Sequence, residues 1–339
     1  MTKILVTGAN GFVGSHILET LMKIQHQDLE IVAACRTPSK LIPSYKGEVR
    51  QGDLRDPDYL DRVLVGVDII CHAAGWSSFE KSADTCNKTY LEPTLDLINH
   101  AIEWRVSRFI NLSSIYTASI NQRNNADATG KPRAYWPMIN CHIAVEEYLR
   151  NYQDPRCQFV NLRLGLYSGK RLNMGLLPLL LARSNQAILP YVTGKSGYLP
   201  IVDGNDIGQA FVRAALGPFE SSYHSLNITG PETASHTDVM SFINEQIKAT
   251  PLRPGLPSSL ASPILWLQGK THKIGNQPLF TPAMIDMLKC PVIDNKQTNQ
   301  QIGYDPEVSW QASLLDTLES YKNQSLNISL SQPYQDLNL

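Results

Sequence analysis

Short apolar runs alternate with helix-like stretches along the first half of the chain. Six of these runs have the length of buried strands, and in chain order they are KILVT, EIVAAC, VRQG, DIICHAA, RFINLS and FVNLRL. Strands that alternate with amphipathic helical segments are typical of a parallel sheet with helices on both faces. The pattern predicts an α/β fold, with a Rossmann-type doubly wound parallel sheet over residues 1–165.

The pattern changes after residue 165. Pro- and Gly-rich loops then separate isolated helical segments, of which 205–216 and 236–249 are the clearest. We expect residues 166–322 to form mainly a smaller C-terminal α/β lobe that binds the substrate. Open α/β folds bind ligands at the carboxyl edge of the sheet, and the lobe would lie over that edge.

Two pieces of this second half are candidates to return to the Rossmann domain: the strand 225–229 and the segment 201–216. The last residues, 323–339, show no clear period and predict a loosely held tail. The chain contains no internal repeat that would indicate a solenoid or a propeller.

Charge and composition narrow the class of partner. The 30 Lys and Arg residues nearly balance the 31 Asp and Glu residues, so no global field attracts nucleic acid or an anionic membrane. No signal-like segment and no apolar run near twenty residues occurs. The six cysteines form no CxxC pair, which favours reduced thiols over disulfides or a metal site. We expect a cytoplasmic protein with a small-molecule substrate and no metal. The sequence leaves open whether the protein forms a homodimer.

The stretch ILVTGANGFVGSHILETL has the order of a dinucleotide site. A strand is followed by Gly8, Gly11 and Gly14, and then by an amphipathic helix. Glycines permit a tight turn and a close approach to a pyrophosphate, and the helix N-terminus offers unpaired N–H groups. The strand before the glycines and the helix after them favour this interpretation over the alternative, a glycine turn used only for packing. The motif predicts a nicotinamide dinucleotide cofactor.

The end of the second strand, VAACRTPSK, bears on which cofactor binds. An acidic side chain there would bind a ribose 2′-hydroxyl, whereas Arg36, with Lys40, could hold a 2′-phosphate. This favours NADP(H) over NAD(H), the alternative being a solvated arginine in a loop. In GDLRD, Asp53 is placed to meet the adenine amino group, or else serves as a turn or cap aspartate.

Several motifs resemble those of the extended short-chain dehydrogenase/reductase family, whose members include nucleotide-sugar epimerases and dehydratases, dihydroflavonol reductases and 3β-hydroxysteroid dehydrogenases. They are TGANGFVG, GDLRD, CHAAG, FINLSS, LRLGLYSG, LPIVDGNDIGQA, SLNITG and QIGYDP, and the resemblance extends from residue 3 to about 322. With the resemblance added, the predicted cofactor-binding set comprises Thr7, Gly8, Asn10, Gly11, Phe12, Val13, Gly14, Arg36, Lys40, Asp53, Leu54, Ala73, Ala74, Gly75, Leu112, His142, Gly165 and Leu166.

The resemblance implies a Ser after the fifth strand and a Tyr-x-x-x-Lys pair on the next helix. Ser114 matches the serine, with Ser113 as the alternative if the register shifts by one. Family members commonly have Pro-Tyr-x-x-Ser-Lys-x-x-Ala-Glu, and PMINCHIAVE overlays this pattern with its Pro and Glu in place. The catalytic pair then becomes Met138 and His142. We predict an atypical site.

Met138 cannot donate a proton, whereas His142 has an ordinary pKa of about 6.5 and could act as acid or base near neutral pH. His142 either polarises the substrate oxygen or only hydrogen-bonds the nicotinamide ribose. Tyr135 is a candidate catalytic phenol, although taking it as the family's tyrosine would put Ile139 in the lysine position. Further reserve donors are Tyr116 and Tyr167.

Weaker signals have structural interpretations. We interpret His72 as a residue with a structural hydrogen bond, and Arg163 as an anchor for a loop or a carboxylate. We expect Asp203 and Asp206 to cap the helix that follows them. The predicted pocket walls are apolar more than cationic, which disfavours a nucleotide-sugar, and they comprise residues 76–90, 167–177, 190–200 and 256–285.

The preferred hypothesis is an NADP(H)-dependent oxidoreductase that acts on a carbonyl or alcohol of a small apolar or aromatic substrate and lacks the catalytic Tyr. One alternative is a catalytically silent NADP(H)-binding regulatory or interaction protein. The other is a non-redox lyase or isomerase, or an epimerase or dehydratase, on the same fold. Met138 fits both an altered mechanism and a lost one.

Overall fold

A computed structural model provides the coordinates. It describes residues 1–24, 28–75, 82–152, 156–173, 175–178, 192–193, 197–247, 256–257 and 282–325. Much of the predicted pocket wall, including 76–81 and 258–281, and the tail 326–339 therefore lie outside the described residues.

The described strands are β1 (Thr2–Thr7), β2 (Leu29–Cys35), β3 (Glu48–Gln51), β4 (Ile69–His72), β5 (Arg108–Ser114), β6 (Gln158–Leu164), β7 (Leu166–Ser168), β8 (Val192–Thr193), β9 (Tyr198–Leu199), β10 (Ile201–Asp203), β11 (Tyr223–Ile228), β12 (Ala234–Ser235) and β13 (Leu256–Pro257). The described α-helices are α1 (Phe12–Lys23), α2 (Pro57–Val63), α3 (Ala83–Cys86), α4 (Glu92–Glu103), α5 (Pro137–Asn151) and the later helices Gly204–Leu216, His236–Ile247, Pro282–Leu288, Lys296–Ile302 and Trp310–Ser325.

Seven parallel strands form the central sheet in the order β11-β6-β5-β4-β1-β2-β3. The predicted α/β class with a Rossmann-type parallel sheet is confirmed. The chain leaves β1 toward β2 on one side and later returns to β4 on the other side. This reversal opens a crevice at the carboxyl ends of β1 and β4, where doubly wound folds bind ligands.

Both faces of the sheet are covered, which explains why its strands are nearly continuous apolar runs. On one face, Ile4 packs with Ile17 of α1 and Phe211 of the helix Gly204–Leu216. On the other face, Leu5 packs with Leu97 of α4 and Leu149 of α5. Successive strand residues point to opposite faces, so one strand serves both cores.

The second half of the chain contributes to both the sheet and the lobe. The strand predicted over 225–229 is Tyr223–Ile228, and it pairs with β6 at the edge of the sheet. The antiparallel pair β9 and β12 and the bridge between Tyr198 and Cys290 belong to the lobe. Asp203 caps the helix that follows it by accepting a hydrogen bond from the Asn205 N–H at 2.8 Å.

Two global properties follow from the described residues. None of the helices in the described ranges is both long and apolar enough to cross a bilayer. All six cysteines lie in these ranges, and they are buried and form no disulfide.

Candidate active site

A cavity of about 540 Å³ lies at the carboxyl edge of the sheet. All but one of the predicted cofactor-binding residues line it, namely Thr7, Gly8, Asn10, Gly11, Phe12, Val13, Arg36, Lys40, Asp53, Leu54, Ala73, Ala74, Gly75, Leu112, His142, Gly165 and Leu166. Gly14 does not line it. The structure thus brings one end of the sheet's first two strands and the helix α5 onto a single cavity.

The glycine turn is packed too closely against neighbouring backbone to admit side chains at Gly8 and Gly14. Gly8 has a φ of +62°, and a Cβ there would lie 2.7 Å from backbone atoms of Ala74. A Cβ at Gly14 would lie 2.2 Å from the Gly8 carbonyl oxygen, so this glycine serves the packing of α1 behind the turn. Gly11 precedes α1 with no side-chain cap, which leaves the first N–H groups of the helix available for an anion.

The region beyond β2 carries positive charge. Arg36 and Lys40 are exposed and both line the cavity, and no acidic residue occurs between Cys35 and Lys40. Asp53 also lines the cavity, but Arg55 binds its carboxylate through Nε and through Nη2 at 2.7 Å. This pairing holds the pKa of Asp53 below its ordinary value. Asp53 therefore remains an anion that can still accept a hydrogen bond.

The catalytic positions meet on the same cavity. Ser114 ends β5, and Met138 and His142 lie four residues apart on one face of α5; all three line the cavity. Pro137 at the first helical position fixes where α5 begins. The overlay that places Met138 and His142 at the family's Tyr and Lys positions is thus compatible with the observed geometry.

The two serines of the sequence NLSS face different surroundings. The Ser113 hydroxyl donates to Glu146 Oε1 at 2.5 Å in a buried network, away from the cavity. The Ser114 hydroxyl lies at the cavity and accepts a hydrogen bond from the Tyr116 N–H at 3.3 Å. Ser114, and not Ser113, therefore has access to a substrate.

The buried network below Ser113 anchors α5 to the sheet. Arg163 of β6 binds both carboxylate oxygens of Glu146, at 3.0 and 2.5 Å, and donates to the Ala128 carbonyl at 2.7 Å. Both side chains are almost fully buried. Arg163 is thus an anchor for a carboxylate and for a loop, and it fixes the helix that presents His142.

His142 is not an ordinary histidine. Burial lowers its pKa to about 4, although Glu146 works in the opposite direction. The imidazole is therefore neutral near pH 7, which corrects the expectation of a group that titrates near neutrality. Its Nδ1 lies 2.8 Å from the hydroxyl of Tyr90, and the two ring centroids are 4.7 Å apart.

Tyr90 is a residue that the sequence did not single out. It is buried, it lines the cavity, and burial raises its pKa well above 10. It lies in a π-helical turn, Asn87–Leu91, between α3 and α4. Pro93 follows this wider turn and has no N–H for a regular helical bond. The sequence placed it only within the predicted pocket wall 76–90, because in NKTYLEPTLDL a tyrosine resembles a core residue.

The reserve donors separate into two groups. Tyr135 does not line the cavity: it is 44% exposed, and its hydroxyl donates to Asp286 Oδ2 at 3.0 Å. Tyr135 lies in the turn before α5, and its contact with Asp286 keeps it away from the catalytic positions. Tyr116 and Tyr167 both line the cavity, and Tyr167 stacks on Phe12 with ring centroids 6.0 Å apart.

The remaining polar candidates have structural partners. His72 is buried between Thr7 Oγ1 at 2.9 Å and Thr94 Oγ1 at 3.3 Å, and burial lowers its pKa to about 3. Asp206 does not cap a helix; it accepts hydrogen bonds from the N–H groups of Glu307 and Val308. Within the described residues, no cluster of three or more His, Cys, Asp or Glu could hold a metal ion.

The fold and the glycine turn define a Rossmann-type dinucleotide-binding protein. The sequence profile of the NAD dependent epimerase/dehydratase family matches residues 4–229, and the chain belongs to that family. The expected membership of the extended short-chain dehydrogenases/reductases is thereby confirmed, and it supports the prediction of an enzyme.

Two curated relatives differ in how much they cover. The chain is 22% identical over 331 residues to the sterol-4-alpha-carboxylate 3-dehydrogenase, decarboxylating, of Dictyostelium discoideum, a match that covers 91% of this chain and 98% of that protein. It is 35% identical over 98 residues to the UDP-glucose 4-epimerase of Neisseria meningitidis serogroup B (strain ATCC BAA-335 / MC58), a match that covers 26% of this chain and 29% of that protein. The chain thus spans less than a third of the epimerase.

Solved structures share the fold along the whole chain. The crystal structure of gox2253 superposes with a TM-score of 0.76 at 22% identity and covers 96% of this chain and 99% of that one. The UDP-glucose 4-epimerase of Thermus thermophilus, solved with NAD, has a TM-score of 0.69 at 19% identity. The superposition covers 95% of this chain and 99% of that one. At these identities the likeness shows the fold alone.

Proposed function

We propose that the chain is an NADP(H)-dependent oxidoreductase that acts on a carbonyl or alcohol of a small apolar or aromatic substrate and lacks the family's catalytic tyrosine. The observation that carries this proposal is the meeting of Ser114, Met138 and His142 on the cavity that also contains the glycine turn. A cofactor bound at that turn would supply or accept the hydride. The protein must then orient the substrate oxygen and manage one proton.

The glycine turn fits a dinucleotide. The backbone contact at Gly8 leaves no room for a side chain, and the uncapped start of α1 offers N–H groups for a pyrophosphate. Arg36 and Lys40 would hold the 2′-phosphate of NADP(H), because both line the cavity beyond β2. NAD is the cofactor named with the Thermus thermophilus epimerase, so the preference for NADP(H) rests on these two cations.

The class of substrate follows from the wall next to His142. The described residues there are mostly apolar, namely Tyr116, Trp136, Met138, Leu176, Leu177 and Met287. The charged lining residue Arg171 binds Ser15 and Glu19 of α1 and therefore belongs to the cofactor end. The described wall holds no cations near His142 for a substrate diphosphate. The name of the Dictyostelium discoideum relative, a sterol carboxylate dehydrogenase, supports an apolar substrate.

The test is turnover of a panel of apolar and aromatic aldehydes and ketones with NADPH. Replacing the two polar groups at the reaction end, in Ser114→Ala and His142→Ala, is expected to lower the rate by about 10² to 10⁴, the range for a positioned acid. His100→Ala is the matched control, because this histidine lies on α4 and does not line the cavity, so its loss should leave the rate nearly unchanged. Turnover that survives both polar replacements would refute the proposed site.

A catalytically silent NADP(H)-binding protein is the second candidate. Met138 favours it, because a thioether cannot donate the proton that the family's phenol would supply. Tight binding of NADPH with no turnover of any substrate on the panel would support this candidate. Conversion of a substrate with unchanged cofactor absorbance would instead indicate lyase, isomerase or epimerase chemistry.

A further inference from the structure

The contact between Tyr90 and His142 differs from the contacts of other buried tyrosines in the chain. The hydroxyls of Tyr45 and Tyr304 donate to backbone carbonyls, at 2.7 Å and 2.8 Å, as core tyrosines usually do. The Tyr90 hydroxyl lies instead 2.8 Å from a histidine nitrogen, and both side chains line the cavity. A phenol and an imidazole are thus paired at the position where the proposed reaction needs a proton.

The direction of this hydrogen bond decides which nitrogen of the imidazole carries the hydrogen. The Tyr90 hydroxyl has two acceptors within reach, His142 Nδ1 at 2.8 Å and the Leu112 carbonyl at 3.4 Å. We assign the hydroxyl hydrogen to the shorter of the two contacts, the one to Nδ1. A neutral imidazole has one N–H, so that hydrogen resides on Nε2.

A neutral histidine needs a second group behind it to act as an acid. Because burial lowers the pKa of His142 to about 4, the free protein holds no imidazolium proton at neutral pH. Loss of the Nε2 proton alone would leave a buried imidazolate, which is a much stronger base than the phenolate that a transfer from Tyr90 leaves. A proton that arrives at Nδ1 at the same time keeps the ring neutral, and the Tyr90 hydroxyl is placed to provide it.

We propose that Tyr90 supplies, through His142, the proton that completes reduction of the substrate. The proposal rests on the proposed function. The alkoxide, formed when the carbonyl carbon has gained a hydride, takes the proton from Nε2, which breaks that N–H bond and forms the O–H bond of the alcohol. Nδ1 takes the hydroxyl proton of Tyr90, which leaves a phenolate, and a proton taken up from the solvent then restores the phenol. In the oxidation direction each transfer runs in reverse.

This arrangement moves the phenol from α5 to the turn Asn87–Leu91. Met138 occupies the helix position of the family's tyrosine, and it can pack but cannot transfer a proton. His142 occupies the lysine position and links the relocated phenol to the reaction centre. Tyr90 acts through His142, so it is a positioning and proton-supplying residue.

The test compares Tyr90→Phe with the wild type in single turnovers with NADPH. We expect the rate to fall by about 10² or more, with the Kd for NADPH within about twofold because the ring remains. A plot of the rate against the deuterium fraction of the solvent should be curved for the wild type, because two protons move. The same plot should be linear for Tyr90→Phe, because only one proton moves. Tyr304→Phe is the matched control, because it removes a buried hydroxyl away from the cavity.

Nitrogen-15 NMR of His142 in the free protein gives a readout that does not depend on activity. The expected result is a neutral ring with the hydrogen on Nε2 in the wild type, and a mixture of tautomers in Tyr90→Phe. A hydrogen on Nδ1 in the wild type, or a Tyr90→Phe rate within about twofold of the wild type, would overturn the relay. Loss of turnover in His142→Ala together with full turnover in Tyr90→Phe would leave the proposed function standing, whereas a wild type that binds no NADPH would overturn both.

Discussion

The two ends of the cavity are built by different means. At the cofactor end, one continuous stretch supplies a strand, three glycines and a helix N-terminus. At the reaction end, Ser114, Tyr90 and His142 come from three separate segments and meet on the cavity. In our proposal, the cofactor end binds through backbone groups of a local motif, whereas the reaction end depends on side chains that only the packing of separate elements brings together.

The reaction end depends on the buried ion pair beneath it, and removing one partner is expected to have the largest effect. Glu146→Gln leaves Arg163 buried without a counterion, which typically costs about 3–5 kcal/mol. Urea unfolding of the variant measures this loss. The matched control is Glu19→Gln, which breaks the half-exposed pair with Arg171 and is expected to cost about 0–1 kcal/mol. Equal losses in the two variants would contradict the role assigned to this network.

The cofactor end is expected to fail when its turn gains a side chain. In Gly8→Ala the new Cβ meets the backbone of Ala74 at a φ of +62°, and NADPH binding should weaken by about 100-fold, equivalent to about 2.7 kcal/mol. Gly66→Ala is the control, because Gly66 has a φ of +68° with open space around it. It should show only the strain of the left-handed conformation, about 1–2 kcal/mol of stability, with cofactor affinity intact. If Gly8→Ala and Gly66→Ala bound NADPH with similar affinity, the role of Gly8 in shaping the cofactor site would be refuted.

At the reaction end, the buried His142 should make the stability of the protein depend on pH. The folded-state pKa of His142 lies at about 4, below the unfolded value of about 6.5. The unfolded chain therefore binds a proton first as the pH falls, and stability is lost from about pH 6.5 toward pH 4. His142→Gln should reduce the slope of the unfolding free energy against pH in this window by up to about 1.4 kcal/mol per pH unit. An unchanged slope would mean that the imidazole titrates alike in both states.

The smallest expected effect concerns the choice of cofactor. Arg36→Ala removes one charge-assisted contact to a 2′-phosphate at an exposed position, and NADPH binding should weaken by about 10-fold, equivalent to about 1.4 kcal/mol, with NADH binding unchanged. Arg62→Ala, on α2 and away from the cavity, controls for the change in net charge. If Arg36→Ala weakens both cofactors equally, or neither, the phosphate assignment is wrong.

The sequence predicted the cofactor end because its signals are local. The apolar runs, the glycine spacing and the helix that follows are contiguous, and the strands lie within two residues of their predicted ends. The α/β fold and the family are confirmed. The assignment of individual binding and catalytic residues stays a prediction.

The reaction end was predictable only in part, because packing decides it. The spacing of Met138 and His142 placed both on one helix face, but the neutral state of His142 follows from burial that no spacing reveals. Tyr90 is 52 positions away from its partner, and only the packing of α5 against the π-helical turn joins them. Tyr135 was a reasonable phenol from its neighbours, yet its side chain extends toward Asp286.

Calorimetric titration of the purified protein with NADPH, NADP⁺, NADH and NAD⁺, with nicotinamide fluorescence recorded in parallel, tests the central claim most directly. The account predicts tight binding of NADPH and NADP⁺, weaker binding of the other two, and altered nicotinamide emission from a ring held beside His142. No binding of any of the four would show that the glycine turn only packs the fold, and it would contradict the account.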